Sequence, residues 1–137
     1  ELGLHVELAM VCAASGIVLG HAFPIFSRFK GGKCVASSAG LLIAFNPIFT
    51  IIIIVLAITA IVITRYVSAA SITVFLVYPI AAWIFPLANG LTEHYTLLFK
   101  VFLSCLGALI LFLHRENIKR LIKGEEKPLF QKKDKEA

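Results

Sequence analysis

The stretch FKGGKCVASSAG at residues 29–40 holds side chains suited to binding phosphate. Gly31 and Gly32 admit positive φ and let backbone amides approach a ligand closely. The apolar run that follows predicts a helix with unpaired N–H groups at its start and the positive end of its dipole there. Lys33 adds a mobile cation, and Ser37 and Ser38 add hydroxyl donors. Together they describe an anion site best suited to phosphate. It is not a Walker A loop: that pattern needs a glycine at position 27 and a hydroxyl residue at position 34, where this chain has Ser27 and Cys34. The plainer alternative is a membrane-edge turn whose cations set orientation.

Two further polar clusters stand next to apolar runs. Arg65 opens RYVSAAS, in which Ser68 and Ser71 are three apart and share a helical face. Serines so placed also serve helix packing. His114 and Asn117, again three apart, sit in HREN at the end of the last apolar run. A histidine there also suits an interfacial role. If all three clusters meet at one membrane face, the ligand they fit has both phosphate and lipid character.

The elements that must position these clusters follow from composition. Of 137 residues, 59% are hydrophobic and only 15% charged, too little polar surface for a soluble domain. The class is all-α, a polytopic membrane helix bundle. The net charge of +5 falls beside apolar runs, where cations set orientation and meet anionic headgroups, so membrane lipids rather than nucleic acid are the expected surroundings. Cys12, Cys34 and Cys105 have neither disulfide nor metal spacing, and no metal or cofactor is expected. The chain opens with Glu1 and without a signal-peptide pattern, so an upstream part of a longer protein is expected.

The apolar block at 35–64 would be about 45 Å long as one helix, more than one crossing requires. Asn46-Pro47 near its middle is a turn signal. A hairpin there puts the basic places (the 24–34 loop, Arg65 and the tail from Arg115) on one side, and the unbasic turns on the other. About five membrane helices are therefore expected, near 4–22, 35–46, 48–64, 69–87 and 95–113, starting outside and ending inside. Residues 1–113 would form the membrane domain, with the phosphate loop at 29–38. Residues 114–137 would form a cytoplasmic amphipathic segment, with Ile118, Leu121 and Ile122 at helical spacing, and a basic tail that ends in disorder. Lys100 is expected to snorkel from the outer end of the last helix.

GHAFPIFSRFKGGKCVASSAG, TRYVSAASI and HRENIKRLIKGEE resemble motifs of the bacterial integral-membrane glycerol-3-phosphate acyltransferases that use acyl phosphate as donor. The first motif is the specific one, with Gly20-His21, Phe23-Pro24 and residues 29–33 in register. The resemblance covers nearly the whole chain. It implies a seven-helix fold in a bacterial plasma membrane, of which this chain would be the last five, with a cytoplasmic site and carboxy terminus. The family's amino-terminal Ser-Gly-Asn motif and nearby Arg have no counterpart. The implied activity is acyl transfer from acyl phosphate to the first hydroxyl of glycerol 3-phosphate, giving lysophosphatidate and phosphate in phospholipid synthesis. Gly31, Gly32, Lys33 and Ser37 would be the phosphate loop. Ser71, His114 and Asn117 would be further site residues and Glu126 the acidic position of the tail motif, with His21, Arg65, Ser38 and Ser68 assisting substrate binding.

Cys34 stands where the family has Gly or Ala, so an acyl-enzyme on its sulfur is not expected. Lys33 and the loop amides suit the donor's phosphate, with Ser71, His114 and Asn117 orienting glycerol phosphate. By residue type His114 is a general base, a task the departing phosphate oxygen could also perform. The H-x4-D acyltransferases are excluded, because His21 and His114 are followed five residues on by Phe26 and Lys119. The rival readings are a non-catalytic membrane subunit that binds anions or acidic lipid, and a small transporter. The transporter would need polar residues at mid-membrane depth, where these helices are apolar.

Overall fold

The computed structural model describes residues 2–27, 31–85 and 96–129. The described residues form α1 (Leu2–Ala22), a 3-10 turn (Ile25–Ser27), α2 (Val35–Phe45), α3 (Pro47–Thr64), α4 (Val67–Ile84), α5 (Leu97–Leu113) and α6 (Arg115–Lys123). Each of α1 to α5 packs against its two ring neighbours, and the α1–α5 contact closes the ring. The ring encloses the apolar core. Phe45 meets the Phe99 ring edge-on at 4.6 Å, and Phe49 meets Tyr78 at 5.0 Å, with Leu42, Ile53, Phe75 and Leu103 packed around them.

The chain reverses at Asn46. The residue before a proline is pushed out of the α region, and Asn46 is extended at φ −151° and ψ 91°. Its side chain then caps α3 by accepting the Phe49 N–H at 2.8 Å, with Pro47 in the first helical position. Thr50 Oγ1 donates to the Leu42 carbonyl at 2.7 Å. In one continuous helix those residues would be about 12 Å apart along the axis, so α2 and α3 are a hairpin, as the charge pattern implied.

α2 itself corrects the expected span count. Its 11 residues rise only about 16 Å, half of a hydrocarbon core of about 30 Å. Among the described residues three helices are long and apolar enough to cross a membrane, or four if α5 and α6 form one span bent by 57°. Apart from the end of α4, the expected bounds shift by no more than two residues. α4 starts at Val67 rather than residue 69, because Tyr66 already provides the extended residue before the helix. α4 ends at Ile84, three residues short of its expected end, and α5 starts at Leu97 behind its Thr96 cap. The expected outer turn at 86–95 lies outside the described residues, as does the far tail beyond 129.

α4 and α5 meet backbone to backbone. Pro79 has no N–H to donate, which leaves the Phe75 carbonyl without its helical partner. Gly107 sits against that carbonyl, so closely that a Cβ would lie 2.6 Å from it. At the other end of α5, Thr96 accepts the Phe99 N–H and donates to Glu7, a carboxylate only 1% exposed. Glu7 breaks the expectation of apolar helices, and its spacing gave no hint of a partner 89 residues away. Lys100 Nζ lies over the Trp83 ring, 5.5 Å from its centroid, a cation–π contact.

Candidate functional site

The loop before α2 is held in place by steric fit. The Gly32 N–H donates to the His21 carbonyl at 3.2 Å. A Cβ on Gly31 would lie 2.2 Å from the Ala22 carbonyl oxygen, and one on Gly32 would lie 2.7 Å from His21 Nε2. Close approach of backbone therefore requires a glycine at 31, whereas at 32 the first obstacle is the His21 ring, and Gly32 is not at positive φ. The left-handed residue is Cys34, at φ 58° and ψ 11°. A residue other than glycine adopts that conformation only at a cost, so the backbone at Cys34 is strained. Cys34 is 1% exposed, and burial pushes its thiol pKa up, away from the reactive thiolate. No side chain among the described residues caps α2, so its first amides have no helical acceptor.

At this end of the ring a cavity of about 460 Å³ is lined by Lys33, Val35, Val67, Ser68, Ser71, His114, Asn117, Glu126, Lys127, Pro128 and Leu129. It joins members of all three polar clusters. Lys33 Nζ donates to Asn117 Oδ1 at 2.5 Å, and Asn117 Nδ2 donates to Glu126 Oε1 at 2.6 Å. Ser68 donates to the same oxygen at 2.7 Å, and Arg120 Nε donates to Oε2 at 2.7 Å. Burial acts to raise the Glu126 pKa, but the donors Arg120, Asn117 and Ser68 outweigh it and hold the carboxyl at about 2. Glu126 reaches Ser68 because Gly124, at φ 72°, ends α6 and turns the chain back. Leu129 then donates its N–H to the Arg65 carbonyl at 2.8 Å.

His114 lies just past the last residue of α5 and is 2% exposed. Its Nδ1 is 2.8 Å from the Ile110 carbonyl. An acceptor there requires a proton on Nδ1 and leaves Nε2 as the basic nitrogen. Burial lowers the His114 pKa, opposed by the Ile110 hydrogen bond and reinforced by the Lys33 charge. The ring is therefore neutral near pH 7.

Other expected site residues lie outside the cavity lining. Ser37 bonds to the Cys34 carbonyl at 3.1 Å. Ser38 is fully buried in the α2 face, and its hydroxyl has no partner among the described residues. The exposed His21 shapes the loop through its carbonyl and ring, and Arg65, itself left-handed at φ 62°, contributes its carbonyl to the tail contact. Gly31 and Gly32 act through backbone approach. Phe29 and Lys30 of the motif lie outside the described residues. The tail residues Lys127, Pro128 and Leu129 were not anticipated; the Gly124 turn signal was their one trace in the sequence.

A profile described as glycerol-3-phosphate acyltransferase matches residues 2–124. The chain belongs to that family. Among its curated relatives, the glycerol-3-phosphate acyltransferase of Bacillus cytotoxicus is 44% identical over 86% of this chain and 56% of its own length. That of Streptococcus gordonii is 42% identical over 76% of this chain and 49% of its own. A crystal structure of PlsY (YgiH), an integral membrane glycerol 3-phosphate acyltransferase in its glycerol 3-phosphate form, superposes with a TM-score of 0.73 at 34% identity, over 83% of this chain and 52% of that one. The same enzyme in its lysophosphatidic acid form gives a TM-score of 0.71. The chain thus spans about half the length of the acyltransferases it matches.

Proposed function

We propose that the cavity at the α2–α4–α5 end is an acyl-transfer site that joins the acyl group of an acyl phosphate to glycerol 3-phosphate. The observation that carries this reading is the meeting of Lys33, Ser71, His114 and Asn117 at one cavity, in a chain whose family relatives bear that activity's name. The hydroxyl oxygen of glycerol 3-phosphate attacks the carbonyl carbon, the bond from that carbon to the phosphate oxygen breaks, and lysophosphatidate and inorganic phosphate leave. Acyl phosphate is already activated, so no covalent intermediate on the protein is required.

Lys33 and the unpaired amides at the start of α2 receive the donor's phosphate and stabilise charge on the leaving group. Ser71 and Asn117 orient the acceptor, and positioning supplies much of the acceleration. His114 Nε2 accepts the hydroxyl proton, its ring fixed by the Ile110 carbonyl. Glu126 stays ionised and holds Asn117, which in turn holds Lys33. Gly31, Gly32, Ser37 and His21 shape the phosphate loop, Ser68 and Arg65 hold the tail over the cavity, and Ser38 offers a free hydroxyl behind the loop.

The five-helix ring corresponds to the last five of the family's seven helices, with α2 entering only part-way. The basic places at this end argue for a cytoplasmic cavity in a bacterial plasma membrane. Residues 1–113 are read as the membrane domain and 114–137 as the cytoplasmic tail.

The test is phosphate release and lysophosphatidate formation from palmitoyl phosphate and glycerol 3-phosphate in lipid-embedded protein. Glycerol-phosphate-dependent release that disappears in Lys33→Ala, with thermal unfolding unchanged, supports the reading. His114→Ala should lower kcat with little change in KM; a change confined to KM removes it as the base. A headgroup binder would tolerate Lys33→Arg, whereas transfer that uses a fixed ammonium would not.

A further inference from the structure

α6 is weakly anchored for the position it holds. Its 9 residues rise only about 14 Å, and a helix of that length is marginal in water without outside support. Among the described residues none of its side chains joins the apolar core. Asn117 is its one buried side chain, and it lines the polar cavity, where it meets Lys33 and Glu126. The opposite side of the helix carries Arg115, Lys119 and Lys123, each four residues on from the last and so in one stripe. Ile122 lies beside that stripe and is 81% exposed. The stripe starts on the lipid side: the Arg115 guanidinium lies over the Phe112 ring, 4.5 Å from its centroid, and Phe112 is an exposed aromatic residue of the membrane helix α5. α6 also leaves the α5 axis at 57°. With α5 across the bilayer, α6 runs nearer the membrane plane than its normal.

We propose that this face docks α6 onto anionic phospholipid headgroups, and that the docking holds Asn117 at the site. Ile122 enters the boundary between headgroups and acyl chains, and the cations beside it reach lipid phosphates, the arrangement of a helix lying in the interface. Charge complementarity names the occupant, since each cation near the surface is drawn to an anionic layer and not to a zwitterionic one. Glu116 bonds Lys119 at 3.1 Å and lies 4.0 Å from Arg115, but exposed pairs of this kind are weak and leave the stripe net positive. The consequence for turnover rests on the acyl-transfer reading of the cavity. α6 makes about two and a half turns as one piece, so the face on the lipid fixes the face at the site. That second face holds Lys33 and Glu126 through Asn117, and Glu126 again through Arg120. Loss of docking loosens both partners together, and turnover therefore rises with the anionic fraction of the surrounding lipid.

The test embeds the chain in phosphatidylcholine with or without phosphatidylglycerol. Docking is read without turnover: the chain has one tryptophan, so in Trp83→Phe/Ile122→Trp protein the emission comes from α6 alone. A lipid with a doxyl group just below its headgroup should quench that emission more strongly when phosphatidylglycerol is present, and added salt should reduce the difference. Lys119→Gln with Lys123→Gln should abolish it. In the chain with its own tryptophan, phosphatidylglycerol should raise kcat at saturating substrates by about fivefold or more, the factor that one surface cation is worth. The two glutamine substitutions should remove that rise and leave turnover in phosphatidylcholine and thermal unfolding unchanged, whereas Lys119→Arg with Lys123→Arg should keep it. Equal quenching in the two bilayers, or a lipid dependence that survives the glutamine substitutions, overturns the proposal. So does docking that follows phosphatidylglycerol while turnover ignores it. Docking that follows phosphatidylglycerol with no acyl transfer in either bilayer overturns the acyl-transfer reading instead and leaves α6 as a lipid-docking helix.

Discussion

Two carboxylates stand at opposite ends of the ring, Glu7 buried and Glu126 half-buried, and they are held differently. Glu7 on α1 is 1% exposed and, among the described residues, takes one hydroxyl, that of Thr96, which also caps α5. Glu126 in the tail takes Ser68, Asn117 and Arg120 together and is linked through Asn117 to Lys33. The first joins two helix ends of the bundle. The second joins a tail, two helices and a loop around a cavity. A single neutral donor makes a local clamp, whereas several donors around an ionised acceptor make a network whose members depend on one another. Removal of one partner should thus be felt locally at Glu7 and across the site at Glu126.

The largest effect is expected within the network. Lys33→Ala should reduce acyl transfer by about a hundredfold or more, the scale for losing a charge-stabilising donor, as single-turnover phosphate release would show. An intact rate would separate the network from the chemistry. Gly31→Ala should come next, because its Cβ meets backbone oxygens at 2.2 and 2.3 Å that cannot move alone. Gly32→Ala should be milder, since its first contact is the movable His21 side chain. Equal losses in steady-state assays of the two variants would contradict the steric account.

Glu126→Gln tests the network by pH. The folded carboxyl stays ionised down to about 2, while the unfolded one takes a proton near its ordinary value, about 4.3. Its stabilisation is therefore full above that ordinary value and lost as pH falls toward 2. Thermal melts of the wild type should decline through this window, and Glu126→Gln should flatten the decline. Glu7→Ala should cost about 1–3 kcal/mol of stability by removing the acceptor of the half-buried Thr96 hydroxyl, without altering the pH profile of turnover. Loss of turnover at full stability would end the distinction between the two ends. The smallest effect belongs to Cys34→Ala, which keeps the left-handed backbone strain and removes only a buried, protonated thiol. Retained turnover is expected; its loss would revive the acyl-enzyme.

Much of this was legible in residue order. Asn46-Pro47 marked the reversal because a proline constrains the residue before it whatever surrounds it. Ser68 with Ser71, and His114 with Asn117, were marked by helical spacing, which requires only the local period. Their meeting with Lys33 was inferable from charge alone, since all lay beside apolar runs assigned to one side. Gly31 and Gly32 were picked out by residue type, but only the fold shows what a side chain would meet there: α1 carbonyl oxygens at Gly31 and the His21 ring at Gly32. The left-handed state of Cys34 likewise depends on how the loop enters α2.

The sequence by itself determined a membrane helix bundle, the hairpin and the candidate polar clusters, because apolar run length, proline geometry and helical period are local properties. Only the tertiary structure decided that α2 stops half-way, that Glu7 finds Thr96, and that the tail folds back to give Glu126 three donors. Each of these depends on contacts between segments far apart in the chain, and no local pattern encodes which partner a buried group will meet.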